Sequence, residues 1–228
     1  MNSLPNHPEK FTVEWLSEKL NFLPESLKNF SYESVGSGQV GDSYRINLNW
    51  NNDEGPKTII AKCSARDSIS RQTAKSMNLY EIEARWYKEY ANTIPIRSPD
   101  AYFVGLDDDD IGNFVMLMED LSPAKQISQM DGCSVDDIKL VLNEAAILHS
   151  SYWNHPSLSK IKWLNYGKDR KKYINQFLVE VYPEWCSRYK GRIDDSILEM
   201  GKSLIDRYES YSSTEAMPVV LSLSLIHI

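Results

Sequence analysis

Gly36, Gly38 and Gly41 punctuate the segment VGSGQVGDSY, residues 35–44, and a lysine, Lys62, follows in the next strand-like run. Glycine clears the side-chain obstruction between phosphate oxygens and backbone N–H groups and permits the dihedrals of a tight turn. A glycine turn between paired strands, beside a lysine on a third, is one way to grip the phosphates of a nucleotide. A plain hairpin uses glycines too, so the turn takes its meaning from its neighbours. No Gly-Lys-Ser/Thr follows, which excludes a Walker A loop. Strands flank the turn on both sides, where a dinucleotide-binding unit would open a helix.

Lys62 sits in TIIAKC, residues 58–63, among apolar neighbours that favour burial. An ammonium there needs an anion or a carboxylate, because an unpaired buried charge is costly. Strand alternation points it away from the face of Ala61 and Cys63. A lysine snorkelling at a sheet edge is the plainer alternative. The helix that follows supplies Glu81 and Glu83 as candidate partners. Glu83 shares a helical face with Trp86 and Tyr87, whereas Glu81 is offset toward Arg85 and suited to an i,i+4 pair on the solvent side. Glu83 is therefore the expected partner of Lys62.

Other reactive residue types carry less. Asp107 to Asp110 lack the ligand spacing of a calcium loop and read as a solvated hairpin tip. Lys168 to Lys172 (KDRKK) reads as a solvated helix face. Cys63, Cys133 and Cys186 are odd in number and widely spaced, without a C-x-x-C pair, which argues against a disulfide framework and against structural zinc. The formal charge of −7 makes nucleic acid an unlikely partner by default. With 42% hydrophobic and 25% charged residues the chain is too apolar for wholesale disorder. The N-terminus lacks the apolar core of a signal peptide and no run reaches transmembrane length, so no membrane partner is expected and a cytoplasmic location is.

The elements that must position these groups follow from periodicity. Thr12 caps a short helix with Leu16 and Leu20 one turn apart. Residues 30–35 read as a strand, and 43–50 alternate, with Tyr44, Ile46, Leu48 and Trp50 opposite Arg45, Asn47 and Asn49. With residues 58–63 they make an antiparallel meander. Residues 74–90 contain neither glycine nor proline and predict one amphipathic helix, with Leu79, Ile82, Trp86 and Tyr90 at helical spacing. Two more strands are expected at 101–105 and 114–118. Thereafter helices dominate: 135–152, capped by Ser134 with Asp136 and Asp137 in its first turn, then 171–190 and 194–210, interrupted near Pro183 and Gly191. A soft boundary falls at 120–133.

In order and spacing, VGSGQVGDSYRI, TIIAKC, EARWY (83–87), FVMLMEDL (114–121) and ILHSSYW (147–153) resemble the aminoglycoside phosphotransferase and choline kinase superfamily, especially its ecdysteroid kinase-like (CHK kinase-like) branch. The likeness covers about residues 30–155 and implies an α+β, protein-kinase-like two-lobe fold: an antiparallel-sheet N-lobe with one main helix, and an incomplete helical C-lobe. It divides the chain into a nucleotide-binding lobe, 1–120, part of a helical lobe, 121–222, and a tail foreign to the pattern, 223–228. By this resemblance ATP is the cofactor and a small-molecule hydroxyl the acceptor. Gly36, Gly38 and Gly41 cover the phosphates, Lys62 contacts them and Glu83 is its ion-pair partner. Met118 to Leu121 form the hinge facing the adenine, with Glu119 and Asp120 holding that connection rather than reacting. His149 resembles a helical histidine that supports the catalytic-loop region; from the residues alone it is a core or interface histidine.

Members of this family place an HGD-x-x-x-x-N segment after a short apolar strand, and its aspartate, its asparagine and a later aspartate handle the acceptor hydroxyl and magnesium. MPVVLS, 217–222, resembles that strand, but the chain continues as LSLIHI, and His227 has neither the glycine nor the aspartate after it. No catalytic aspartate and no ligands for the implied Mg2+ have counterparts, so a truncated and inactive phosphotransferase is expected. The alternative is a short, non-catalytic nucleotide-binding or protein-interaction module. Tyr166, Tyr173, Trp185 and Tyr189 could line an aromatic pocket for a steroid-like or cationic acceptor; packing at helical spacing is the plainer reading.

Overall fold

The computed structural model describes residues 4–36, 40–52, 54–107, 109–124, 131–164, 167–208, 210 and 220–221. By packing, the described residues up to Ser151, together with Leu221, form one unit, and those from Tyr152 to Val220 form another. The first unit therefore holds the helix that follows the soft boundary at 120–133 as well as the sheet. The architecture is mixed α+β, an antiparallel sheet with several helices.

In the first unit, Thr12 Oγ1 accepts from the Trp15 N–H at 3.1 Å and opens α1, Val13–Lys19. The strands are β1 (Leu27–Ser34), β2 (Gly41–Trp50), β3 (Thr58–Ser64), β4 (Ala101–Leu106) and β5 (Phe114–Glu119). They form one sheet in the order β1-β2-β3-β5-β4, every neighbour antiparallel. Alternation assigns the two faces. Tyr44, Ile46, Leu48 and Trp50 of β2 join Ile59, Ala61 and Cys63 of β3, Val115 and Leu117 of β5, Leu16 of α1 and Leu20 just after it in one buried cluster. Full burial of Leu16 and Ile46 contributes roughly 1.5–3 kcal/mol each. The second face carries Ser43, Arg45, Ile60, Lys62, Met116 and Met118, because Ser43 pairs with Lys62 and Lys62 with Met116, while Arg45 pairs with Ile60 and Ile60 with Met118.

Where one helix is expected over 74–90, there are two. Asp67 caps α2 (Ser68–Ser76) by accepting from the Ser70 N–H at 2.7 Å, and α3 (Leu79–Glu89) follows. Asn78 between them takes φ 54°, a left-handed conformation that asparagine tolerates better than most residues. Glycine and proline are not needed for such a break, which is why their absence concealed it. The buried residues of α3 are Tyr80, Glu81, Glu83, Ala84, Trp86 and Tyr87, and Leu79 and Ile82 are not among them. Tyr80 stacks on Phe114 of β5, ring centroids 4.9 Å apart, so α3 packs on the second face of the sheet.

Ser134 and Asp137 cap α4 (Val135–Ser151) reciprocally: Ser134 Oγ accepts from the Asp137 N–H at 3.1 Å, and Asp137 accepts from the Ser134 N–H at 3.0 Å. The second unit holds α5 (Gly167–Tyr189) and α6 (Asp195–Asp206). Pro183 does not interrupt α5. Its fixed φ suits a helix, and the loss is confined to one hydrogen bond and local crowding. The chain leaves α5 at Gly191, where φ is 73°. Tyr182 Oη donates to the Leu198 carbonyl at 2.5 Å, and a Cβ at Gly201 would lie 2.1 Å from that oxygen, so glycine permits the α5–α6 contact. Among the described residues no helix is long and apolar enough to cross a membrane.

Candidate functional site

The Lys62 ammonium lies 2.5 Å from Glu83 Oε1. Strand alternation turns Lys62 onto the second face of the sheet, and α3 lays Glu83 over it. The side chains are 17% and 11% exposed, so the pair is shielded but still reachable from solvent. Glu81, two residues earlier, accepts from Arg85 Nε at 2.8 Å, the expected i,i+4 pair, but it is buried rather than on the solvent side.

The glycine turn approaches the same region through its stem. Gly36 takes φ 77°, where a side chain would be strained, and Gly41 begins β2. A Cβ on Gly41 would lie 3.2 Å from the Cys63 carbonyl and 3.7 Å from the Tyr80 ring, so this glycine permits close passage of the stem. Gly38 lies outside the described residues. Gly41, at the stem of the turn, pairs with Ser64, two residues beyond Lys62 on β3.

The segment Met118–Leu121 runs off the end of β5, between β3 and β4. Met118 pairs with Ile60 on one side and Ala101 on the other, and the Glu119 N–H donates to the Asp100 carbonyl at 2.8 Å. Glu119 accepts from Arg97 Nη2 at 2.7 and 2.8 Å and from the Asp100 N–H at 3.1 Å, and the Arg97 hydrogen bond, foremost, holds its carboxyl below the usual range. Asp120 accepts from Arg45 Nε at 2.7 Å and from the Ser122 N–H at 3.0 Å; its side chain is 5% exposed, and the Arg45 bond likewise lowers its pKa. Each carboxylate is thus engaged in holding the connection after β5. Leu121 accepts from the Ala124 N–H at 2.8 Å.

Comparison of the chain with protein-family models, curated proteins and solved structures finds no match. A shielded ammonium, held by a carboxylate beside a glycine turn, suits the phosphates of a nucleotide. Among the described residues no group of three or more His, Cys, Asp or Glu could hold a metal ion.

The remaining candidates fall elsewhere. Asp107, Asp109 and Asp110 belong to the β4–β5 turn: Asp107 Oδ1 accepts from the Asp109 N–H at 3.0 Å, and Asp110 pairs with Lys75 at 2.8 Å. Asp108 is outside the described residues. His149 is half-buried in the last turn of α4. Trp185 stacks on Tyr182 and contacts Tyr189 along α5, with centroids 5.7 and 5.0 Å apart, and Tyr173 stacks on Phe177; Tyr166 lies outside the described residues. Of the strand expected at 217–222 only residues 220 and 221 are described, neither in a strand, and His227 with the tail 223–228 lies outside. A cavity of about 310 Å³ between α3 and β4, lined by Tyr87, Lys88, Asn92 and Tyr102 among others, contains none of the expected site residues.

Sequence reasoning missed Arg45, Tyr80 and the cluster of His7, Asp42 and Arg66. Alternation placed Arg45 on the polar face, but its partner Asp120 is 75 positions away. His7 Nε2 lies 2.6 Å from Tyr44 Oη, and Arg66 contacts both ring nitrogens at 2.6 and 2.8 Å while pairing with Glu9 at 2.7 Å. The Arg66 N–H donates to Asp42 at 3.0 Å, which ties this cluster to the start of β2.

Proposed function

We propose that the sheet-bearing unit is the nucleotide-binding lobe of a phosphotransferase-like protein of the kinase-like, two-lobe type, resembling the CHK kinase-like branch named above. ATP is the nucleotide. Its phosphates lie beneath the glycine turn and against Lys62, and its adenine lies toward Met118–Leu121. Glu83 holds the ammonium in place, and Arg45–Asp120 with Arg97–Glu119 brace the connection beside the base. The acceptor class is a small-molecule hydroxyl. Neither the acceptor site nor the transfer step is assigned to any of the described residues.

The observation that carries this reading is the Lys62–Glu83 pair, 2.5 Å between a central strand and the helix across it, beside the stem of the glycine turn. β3 lies between β2 and β5 rather than at a sheet edge. The test is isothermal titration of the 228-residue chain with ATP. A charge-assisted hydrogen bond contributes about 1.5–3 kcal/mol, so Lys62→Ala should weaken binding about ten- to hundredfold. Unchanged affinity in the variant, or no binding by the parent chain, overturns the assignment.

A further inference from the structure

Tyr80 opens the first turn of α3 with its side chain buried, 3% exposed. Its ring lies flat on Phe114, 3° from parallel, which fixes where the hydroxyl can reach. Tyr80 Oη donates to the Val40 carbonyl at 2.5 Å and accepts from the Ala65 N–H at 2.9 Å. Three pieces of chain meet at this one oxygen: the exit of the glycine turn, the residue just past β3, and the helix that carries Glu83. Val40 immediately precedes Gly41, where a Cβ would come within 3.2 Å of the Cys63 carbonyl and 3.7 Å of the Tyr80 ring. Ala65 lies three residues beyond Lys62, and Glu83 one helical turn beyond Tyr80.

We propose that Tyr80 is a positioning residue that couples the glycine turn to the Lys62–Glu83 pair. The inference rests on the nucleotide reading for its purpose, but not for its geometry. The hydroxyl satisfies one backbone donor and one backbone acceptor that belong to different segments. Tyr80→Phe keeps the ring and its stack and removes both bonds, so neither the turn stem nor the end of β3 remains tied to α3. Simple packing would not require the hydroxyl at all. Trp86 and Tyr87 already seat the helix through their buried side chains.

The test compares Tyr80→Phe with Ile59→Val, a matched destabilising change in the core on the opposite face of the sheet. Two signals are read by NMR on the full chain without nucleotide: amide exchange at Gly41 and Ala65, and the Lys62 15Nζ resonance of the ion-paired ammonium. Tyr80→Phe should speed both amides about tenfold, the equivalent of one hydrogen bond, and shift or broaden the Lys62 signal. Ile59→Val should leave the Lys62 signal in place. Gly41→Ala, which presses the stem against the Cys63 carbonyl, should reproduce the Lys62 change from the loop side and serves if Tyr80→Phe does not fold. Wild-type signals in Tyr80→Phe, or equal changes in Tyr80→Phe and Ile59→Val, overturn the proposal. Titration with ATP then separates the two ideas. A chain that binds no ATP yet shows the coupled signals keeps Tyr80 as the link and refutes the nucleotide site, whereas about tenfold weaker ATP binding in Tyr80→Phe supports both.

Discussion

Replacing Lys62 with methionine should destabilise the sheet unit even with no nucleotide present, and Glu83 decides by how much. At 2.5 Å the gross attraction of the pair is about 7 kcal/mol for an effective dielectric constant near 20. Desolvation of both ions offsets much of that, so the useful quantity is the cost of leaving one partner behind. Glu83 keeps only 11% side-chain exposure, and orphaning a buried ion costs about 3–5 kcal/mol. Because the pair retains some contact with water, the lower end, about 3 kcal/mol, applies. With a urea slope of about 2 kcal/mol/M, the midpoint should fall by about 1.5 M. Tryptophans occur in both units, so the transition is best followed by hydrogen exchange in β3 and β5, which reports on the sheet alone. Lys62→Met/Glu83→Met removes both ions and fills their space with apolar atoms, and should recover at least half of the loss. If the two single changes add to within about 0.5 kcal/mol, the ion pair is not an energetic unit and the reasoning is refuted.

Burial, and next the Arg66 guanidinium, lowers the pKa of His7 below its ordinary 6.5, with Lys10 acting in the same direction and the Glu9 and Asp42 carboxylates opposing. The unfolded chain therefore takes the proton first. His7's contribution to stability is complete above about pH 6.5 and is lost as pH falls from there through the folded value. The urea midpoint should decline between pH 6.5 and 5, and less so in His7→Gln; identical slopes would remove His7 as the cause. Burial likewise raises the Cys63 thiol far above its ordinary pKa, whereas Cys133 is exposed. N-ethylmaleimide followed by peptide mass spectrometry should label Cys133 rapidly and leave Cys63 intact in the folded chain, and comparable labelling of the two would contradict the core placement. A Cβ at Gly55 would lie 2.2 Å from the Trp50 ring, whose Nε1–H donates to the Pro56 carbonyl at 2.7 Å. Gly55→Ala should cost about 1–3 kcal/mol in urea unfolding, and a neutral substitution would mean that the indole can move without loss.

Features legible in the sequence were those governed by neighbours along the chain. Alternation in β2 and β3 separated Ile46, Ile59 and Ala61 from Arg45 and Lys62, and Thr12 and Ser134 announced their helices through caps that reach only three residues. Helical spacing directed Glu81 to Arg85 and left Glu83 for the sheet. Less legible was the course of residues 68–90. The αL turn at Asn78 and the continuous helix through Pro183 show that single residues bias the backbone by amounts that packing readily outweighs.

By itself, then, the sequence determined which side chains share a face and which carboxylate could reach Lys62, since both follow from repeats of two and 3.6 residues. The tertiary structure decided which faces meet. The order β1-β2-β3-β5-β4 sets Met116 and Met118 beside Lys62 and Ile60, brings Asp120 to Arg45, and stacks Phe114 under Tyr80 so that one hydroxyl reaches both Val40 and Ala65. Those pairings lie from 15 to 75 positions apart. Local periodicity carries no information at that range, and only the packing of α3 against a particular sheet order selects them.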